Sequence, residues 1–456
     1  MENNKNSFYT PLTPEERAMD IVREWSLKEN KGDKNARKWA KSKIKDYLVE
    51  TSDGTYTLQS EEINESRETM HTTHGAFREA REKFAKPANL RDKKNIAILD
   101  ICSGLGVNAA AALEQVLDLL GEGKIEQVKM DLVEISWEVL AATLLIPDPS
   151  KDNPSKDNPS KDNPSKDNPS KDNPSKDNPS KDNPSNPHSI EAYRIIRKAI
   201  ENYLITSGVL SFSHEMKEIP SSVDIRLHCE DARKMIMELP ETQCYDAVFL
   251  DPFSPHKSPE LYSQEFLAKL GNSLKKEGVI LTYTSAAPVR YALIDTGLEI
   301  GEGPALGRSG GTIASFTLNR IPKSLNQSDE RMIALSDAGI PFRDPDLNSS
   351  TDEIIEKRQL ERMALRGHYK MASTVKSPVY LASDLEDMKI KRRVLKHLEK
   401  FNINELNSLK ARYLVCPQFS NCICCCGQKG NSSSRERIKE MEKRLKIVAK
   451  GNFKDE

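Results

Sequence analysis

Residues 245–270 read YDAVFLDPFSPHKSPELYSQEFLAKL, an apolar run that ends on a carboxylate. The strand-like YDAVFL carries Asp251, Pro252 and Phe253 to its C-terminal end, where ligands bind in open α/β sheets. A carboxylate and a backbone carbonyl orient an amine by accepting its hydrogens. The carboxylate can also take the proton that nitrogen loses on alkylation. An aromatic ring stacks on a base. Asp251, the carbonyl of Pro252 and the ring of Phe253 suit those roles in order. A Pro-rich turn capped by Asp251 accounts for the same residues without chemistry. Prolines at 252, 255 and 259 argue for a stiff, shaped loop in either case.

A second constellation lies at 100–108, DICSGLGVN, where an apolar strand meets a Gly-bearing turn and then an Ala-rich helix. Gly104 and Gly106 permit a ligand to approach the backbone closely, and the helix start offers free N–H groups. A dinucleotide fingerprint wants a third glycine, and Ala109 stands there instead. Cys102, Ser103, Gly104, Gly106 and Asn108 are the candidates on this turn. Glu134 ends the next strand-like run and is suited to accept both ribose hydroxyls of a nucleoside. Asp231 follows the third run and is suited to accept an adenine amine. Acidic residues at strand ends are commonly just solvated, so it is their order after a Gly turn that carries the inference.

The chain has eight cysteines. Cys102, Cys229 and Cys244 stand singly in apolar or strand-like settings and read as buried small hydrophobes. Cys416, Cys422, Cys424, Cys425 and Cys426 crowd into eleven residues, enough thiolates for a zinc or iron–sulfur site. Adjacent cysteines do not all reach one tetrahedral ion easily, and paired C-x2-C knuckles are absent, so a metal-free cluster stays open too. His71 and His74 lack companions at ligand spacing and read as structural or substrate-contacting.

The elements that must position these residues alternate. Strand-like runs fall at 96–101, 128–135, 223–230, 245–251 and 278–285, separated by helical stretches. The expected architecture is α/β, a Rossmann-like, mostly parallel, doubly wound sheet. Thr13, Pro14 and Glu16 suggest a capped helix start, with Met19, Val22 and Trp25 at helical spacing over 13–28. Residues 31–45 are basic and contain Trp39; a solvated face and an RNA contact are both open. Residues 150–184 are seven copies of Ser-Lys-Asp-Asn-Pro, which hold no apolar residue and read as a disordered insert. Beyond residue 330, charged helical stretches at 352–365, 389–400 and 432–448 surround the cysteines. The domain reading is a helical basic extension over 1–45, a catalytic domain over 46–325, and a helical Cys-bearing extension over 330–456.

With 456 residues, 37% hydrophobic and 30% charged, the composition is that of an ordinary soluble chain, and a formal net charge of −1 gives no global case for nucleic acid. No signal peptide or membrane span is legible, which leads to the expectation of a cytoplasmic protein with no membrane partner.

The loop DPFSPHKSPELYSQEF resembles that of the MnmC methyltransferase domain family, with Asp251, Phe253, Pro255, Lys257, Pro259, Glu260 and Tyr262 matching its pattern. Residues 51–84 are similar to that domain's N-terminal signature, through Asp53, Gly54, Thr57, Leu58, His71, Gly75, Ala76, Glu79, Ala80 and Phe84. Residues 103–108, 282–298 (with Thr284, Ser285, Ala286, Val289, Arg290 and Gly297) and 306–311 follow in the same order. The likeness covers about residues 46–320 apart from the repeats. It implies methyl transfer from S-adenosylmethionine to 5-aminomethyluridine at the tRNA wobble position. On that basis Asp251, Pro252, Phe253 and Lys257 form the catalytic set, and Glu134 and Asp231 hold the donor's ribose and adenine. Bifunctional members add a flavin-dependent oxidase domain. No second dinucleotide fingerprint is visible here, so no FAD is expected. The alternatives are an aminopropyltransferase-like enzyme on a small amine, and a non-catalytic adaptor that binds donor, RNA or metal.

Overall fold

The computed structural model describes residues 14–60, 69–70, 75–147, 187–239, 242–306, 309–375, 380–430 and 432–453. The Ser-Lys-Asp-Asn-Pro repeats, His71 and His74 lie outside the described residues.

The core is a seven-stranded sheet built from β1 (Asn95–Ile101), β2 (Gln127–Val133), β3 (Val223–His228), β4 (Tyr245–Leu250), β5 (Leu274–Thr282), β6 (Glu299–Leu306) and β7 (Ser309–Ser315). The strand order is β3-β2-β1-β4-β5-β7-β6. The pairs among β1 to β5 are parallel; β7 runs antiparallel to both β5 and β6. Order reverses between β1 and β4, the place where a doubly wound sheet opens a crevice beyond its carboxyl ends.

The strand sequences explain their positions. Every residue of β4 is buried, as a central parallel strand covered on both faces requires. Edge strand β3 is mostly half-exposed. Alternation sends Ile96 and Ile98 of β1, Phe249 of β4 and Leu281 of β5 into one core. Leu99, Ile101, Leu250 and Ile280 enter the other.

Both sequence-flanking regions pack into these two cores. Helices α1 (Glu16–Asn30) and α2 (Ala36–Ile44) bury Met19, Val22, Trp25, Ala40 and Ile44 in the first core. The first core also takes α3 (Val107–Glu114), α4 (Trp137–Thr143) and α5 (Pro187–Thr206). The second takes α6 (Ala232–Glu238), α7 (Gln264–Ser273), α8 (Ala287–Asp295) and α9 (Gln327–Leu335). The C-terminal α10 (Thr351–Leu365), α11 (Met388–Leu398), α12 (Leu409–Val415) and α13 (Ser434–Ala449) join that second core through residues such as Ile354, Val394, Leu414 and Met441. The charged appearance of α10 and α11 reflects their outer faces, whereas α13 also buries Glu442 and Arg444.

Two local expectations are corrected. The first helix starts at Glu16 with Glu15 as a cap that makes no side-chain bond, and Pro14 bridges to Ser60 instead; Thr13 lies outside the described residues. In the basic 31–45 stretch Ala36, Arg37, Ala40 and Ile44 are buried, while most of the lysines stay exposed. Arg37 is buried, its guanidinium donating to Glu201 at 2.7 Å, to the carbonyl of Leu144 at 3.2 Å and to Glu215. Burial disfavours the Glu201 carboxylate. The backbone N–H groups of His214 and Glu215, with Ser213 and Arg37, outweigh that and hold its carboxyl down to about 2.

Removing Arg37 leaves Glu201 with Lys198, at 3.3 Å, and Glu215 with Arg197, at 2.9 Å, so part of the buried negative charge loses its partner. Arg37→Ala is therefore expected to cost about 3 kcal/mol of stability. Urea denaturation of the two proteins at neutral pH checks it; a loss below about 1 kcal/mol would match only an exposed pair.

Candidate active site

Beyond Ile101 the chain turns sharply. Cys102 (φ 60°), Gly104 (φ 53°) and Gly106 (φ 72°) all adopt left-handed conformations. The Ser103 N–H donates to the carbonyl of Val133 at 2.9 Å, and the Gly106 N–H to that of Ser103 at 2.8 Å. Helix α3 starts directly after Gly106, its four consecutive alanines fully buried. A Cβ on Gly106 would stand 2.7 Å from Cγ2 of Ile196 on α5, and one on Gly104 would stand 2.8 Å from Cε of Met70. The glycines thus serve both backbone conformation and close packing.

Glu134, just past β2, is tied to this turn. Its Oε2 accepts from the Gly104 N–H at 3.0 Å and its Oε1 from the Ser136 N–H at 3.1 Å. Burial pushes its carboxyl up to about 6 against those hydrogen bonds. Each oxygen retains a lone pair for a hydroxyl donor.

Asp231 caps α6, accepting from the Arg233 N–H at 2.9 Å. The Arg233 guanidinium also grips it at 2.8 Å and reaches Asp344 at 3.0 Å. The capping role that acidic residues commonly play is present here, and capacity to accept one more hydrogen remains.

Asp251 follows β4, and its N–H donates to the carbonyl of Ile101 at 3.3 Å. Its Oδ2 accepts from Nδ2 of Asn108 at 2.8 Å. The geometry therefore joins the glycine turn to the acceptor loop. Burial, then the charge of Glu79, pushes the Asp251 carboxyl well above its ordinary range; Asn108 and Lys83 oppose the shift. Glu79 and Lys83 form a buried ion pair at 2.7 Å on the helical run over residues 76–88.

The following loop is firmly folded. The N–H groups of Lys257 and Ser258 both donate to the carbonyl of Ser254, at 2.8 and 2.9 Å. The Tyr262 hydroxyl donates to the carbonyl of Pro252 at 3.5 Å. Buried Glu260 accepts from Thr351 on α10 at 3.3 Å. Phe253 and Lys257 are half-buried.

Two features went unassigned in the sequence. Asp100, the penultimate residue of β1, is fully buried, and among the described residues its carboxyl oxygens make no direct hydrogen bond. Burial pushes it up to about 8, with Glu134 adding and the nearby backbone of Ala109 offsetting only part. An aspartate inside the apolar run IAILDI was the available signal. Glu79, the second, appeared only as a matching position. Arg290, matched in the same way, braces the sheet: its guanidinium donates to Thr312 at 2.9 Å, to the carbonyl of Gly311 at 3.1 Å and to Asp329 at 2.6 Å.

The cysteines are redistributed relative to expectation. Cys102, Cys229 and Cys244 are partly exposed rather than buried. The Sγ atoms of Cys416, Cys422, Cys424 and Cys426 lie within 4.8 Å of one another. Cys425 is exposed and stands outside that group, because its left-handed backbone (φ 64°) turns it away from its neighbours.

Residues 191–317 match a family described as S-adenosyl-L-methionine-dependent methyltransferase. An uncharacterised protein of Methanocaldococcus jannaschii is 31% identical over 404 residues, which span 88% of this chain and 95% of that protein. The tRNA 5-methylaminomethyl-2-thiouridine biosynthesis bifunctional protein MnmC of Ralstonia nicotianae is 36% identical over 80 residues, 17% of this chain and 12% of that one. The chain belongs to one family with the Methanocaldococcus protein and carries an MnmC-like methyltransferase domain. The crystal structure of MnmC2 from Aquifex aeolicus is similar over 75% of this chain and 100% of that one, at 23% identity and a TM-score of 0.48.

This methyltransferase therefore gathers Asp100, Glu134, Asp251 and Glu79 at the carboxyl end of its sheet, each partly opposing the ionisation of another. A donor bearing a sulfonium and an ammonium offsets such an excess of negative charge. The buried, unbonded carboxyl of Asp100 and the tight glycine turn match that requirement.

A carboxyl raised in the folded state stabilises below its unfolded pKa, and that contribution is lost as pH rises through the folded value. Without donor, Asp100→Asn should leave the melting temperature nearly unchanged at about pH 4 and raise it progressively toward pH 8. Scanning calorimetry across that range checks this; a pH-independent difference would mean that Asp100 does not titrate there.

Proposed function

We propose that this methyltransferase acts on the amine of an aminomethyl-uridine at the tRNA wobble position. The observation that carries this reading is the Asn108–Asp251 hydrogen bond, which holds the donor turn against the head of the acceptor loop. The name of the Ralstonia relative supports the substrate class.

S-adenosylmethionine supplies a methyl group on a sulfonium sulfur. The turn from Cys102 to Asn108 would hold its amino-acid part, Glu134 its ribose hydroxyls and Asp231 its adenine amine. An aliphatic ammonium has no lone pair and must lose a proton before it attacks. Asp251, with its carboxyl shifted upward, is a better proton acceptor for that step than an ordinary carboxylate. The Pro252 carbonyl orients the remaining N–H, and Phe253 offers a ring to the base. The freed lone pair would then take the methyl group that the bound donor supplies, the donor's sulfur keeping the bonding electrons. The product leaves as a secondary ammonium, and Asp251 returns the proton it accepted to solvent.

The experiment is transfer of labelled methyl to tRNA lacking the modification, with the product nucleoside identified by mass. Asp251→Asn should retain donor binding and lose about 10²–10⁴-fold in turnover, the usual worth of one general base. Label on another nucleoside would move the substrate; label only on small amines would make this a small-amine methyltransferase instead.

Docking of tRNA is assigned to the exposed basic residues Lys389, Arg392, Arg393, Lys396 and Lys400 on and beyond α11, with Lys38, Lys43 and Lys45 as a second patch. Reversing Lys389, Arg392 and Lys396 to Glu should weaken tRNA binding and reduce its salt slope by about 0.7–0.9 for each phosphate that is no longer neutralised. Unchanged affinity across a salt titration would remove α11 from the interface.

A further inference from the structure

We propose that Cys416, Cys422, Cys424 and Cys426 bind one structural Zn²⁺ ion that pins the segment between α12 and α13. Cys416 ends α12 and opens a 3-10 turn over Cys416–Gln418. Three of the sulfur separations are 3.9 Å (Cys416–Cys422), 3.9 Å (Cys416–Cys426) and 3.6 Å (Cys422–Cys426). All four Sγ atoms lie within 4.8 Å of one another. A tetrahedral ion with Zn–S of about 2.3 Å sets its ligand sulfurs about 3.8 Å apart. An iron–sulfur cluster places several iron and sulfide atoms between its cysteines and needs a wider cage. A disulfide needs about 2.05 Å, far shorter than any of the three separations.

The backbone explains how such close cysteines converge. Cys425 (φ 64°) and Gly427 (φ 69°) are both left-handed, and the reversal at Cys425 brings its two neighbours to one side. Cys425 itself is exposed.

The surroundings suit a negative centre. Four thiolates around a dication leave two negative charges, which buried cations and N–H donors must meet. Arg444 of α13 is buried and directs Nη1 to Cys424 Sγ at 3.8 Å and Nη2 to Cys426 Sγ at 3.6 Å. The Ile423 N–H donates to Cys416 Sγ at 3.4 Å. Arg444 is itself fixed by the carbonyl of Tyr413 at 2.9 Å and by Gln428 at 2.7 Å. Four protein ligands leave no open position, which makes the ion structural.

The test is elemental analysis of the full chain, purified without chelator or metal-affinity tag. About one zinc per chain is expected, retained by Cys425→Ser and lost by Cys422→Ser and Cys426→Ser. Replacement by Co²⁺ should give the intense visible absorption of a tetrahedral thiolate site. If the ligand variants do not fold, the wild-type metal count and the Cys425→Ser protein still decide. Folded wild type without zinc, stoichiometric iron instead, or equal metal loss in Cys425→Ser would each overturn the assignment.

Discussion

The site depends on parallel pairing of β1 with β4, in which Asp100 lies opposite Phe249 and Ile101 opposite Leu250. That register makes the two strands end side by side, so the glycine turn and the acceptor loop leave the sheet at one point. The ladder continues one step further through the Asp251 N–H to the Ile101 carbonyl. A shift by one residue would turn Asp251 to the opposite face and break its bond with Asn108. Pairing between central strands whose facing residues 98–101 and 247–250 are buried strongly resists such a slip.

Around that point the protein accepts an electrostatic cost. Asp100, Glu134 and Asp251 are held where water is scarce and where each opposes another's charge. Buried carboxyls without cations are destabilising, and groups perturbed by burial plus a specific charged neighbour cluster at functional sites. Glu79 shows how the balance is tuned: its charge raises Asp251, while its partner Lys83 pulls the other way.

The stability that tolerates this comes from the layers on either side. Arg37 links α2 to α5 and to Glu215, and Arg197 joins the same network through Glu215 at 2.9 Å and the Leu144 carbonyl at 3.1 Å. On the opposite face, Lys370 is buried against Glu442 of α13 at 3.2 Å, and the Tyr291 hydroxyl of α8 donates to the same carboxylate at 3.1 Å. No helix of the described residues is long and apolar enough to cross a membrane. The charged helices turn their apolar faces into the second core.

Local sequence determined the five parallel strands, the glycine turn and the identity of Asp251 and Glu134, because apolar runs bounded by Gly and Asp define strands and their carboxyl ends over a few residues; the antiparallel pair β6 and β7 was not legible in it. The fully buried β4 and the left-handed Gly104 and Gly106 follow from such short-range rules. What lay beyond it was contact across long separations. Arg37 looked like part of a basic surface because its partners Glu201 and Glu215 are more than 160 residues away. Asp100 looked like an ordinary strand residue until packing removed its water. Five neighbouring cysteines were equivalent as letters. Only the backbone reversal at Cys425 separated one from the four whose sulfurs converge, since side-chain direction is set by dihedral angles and not by spacing.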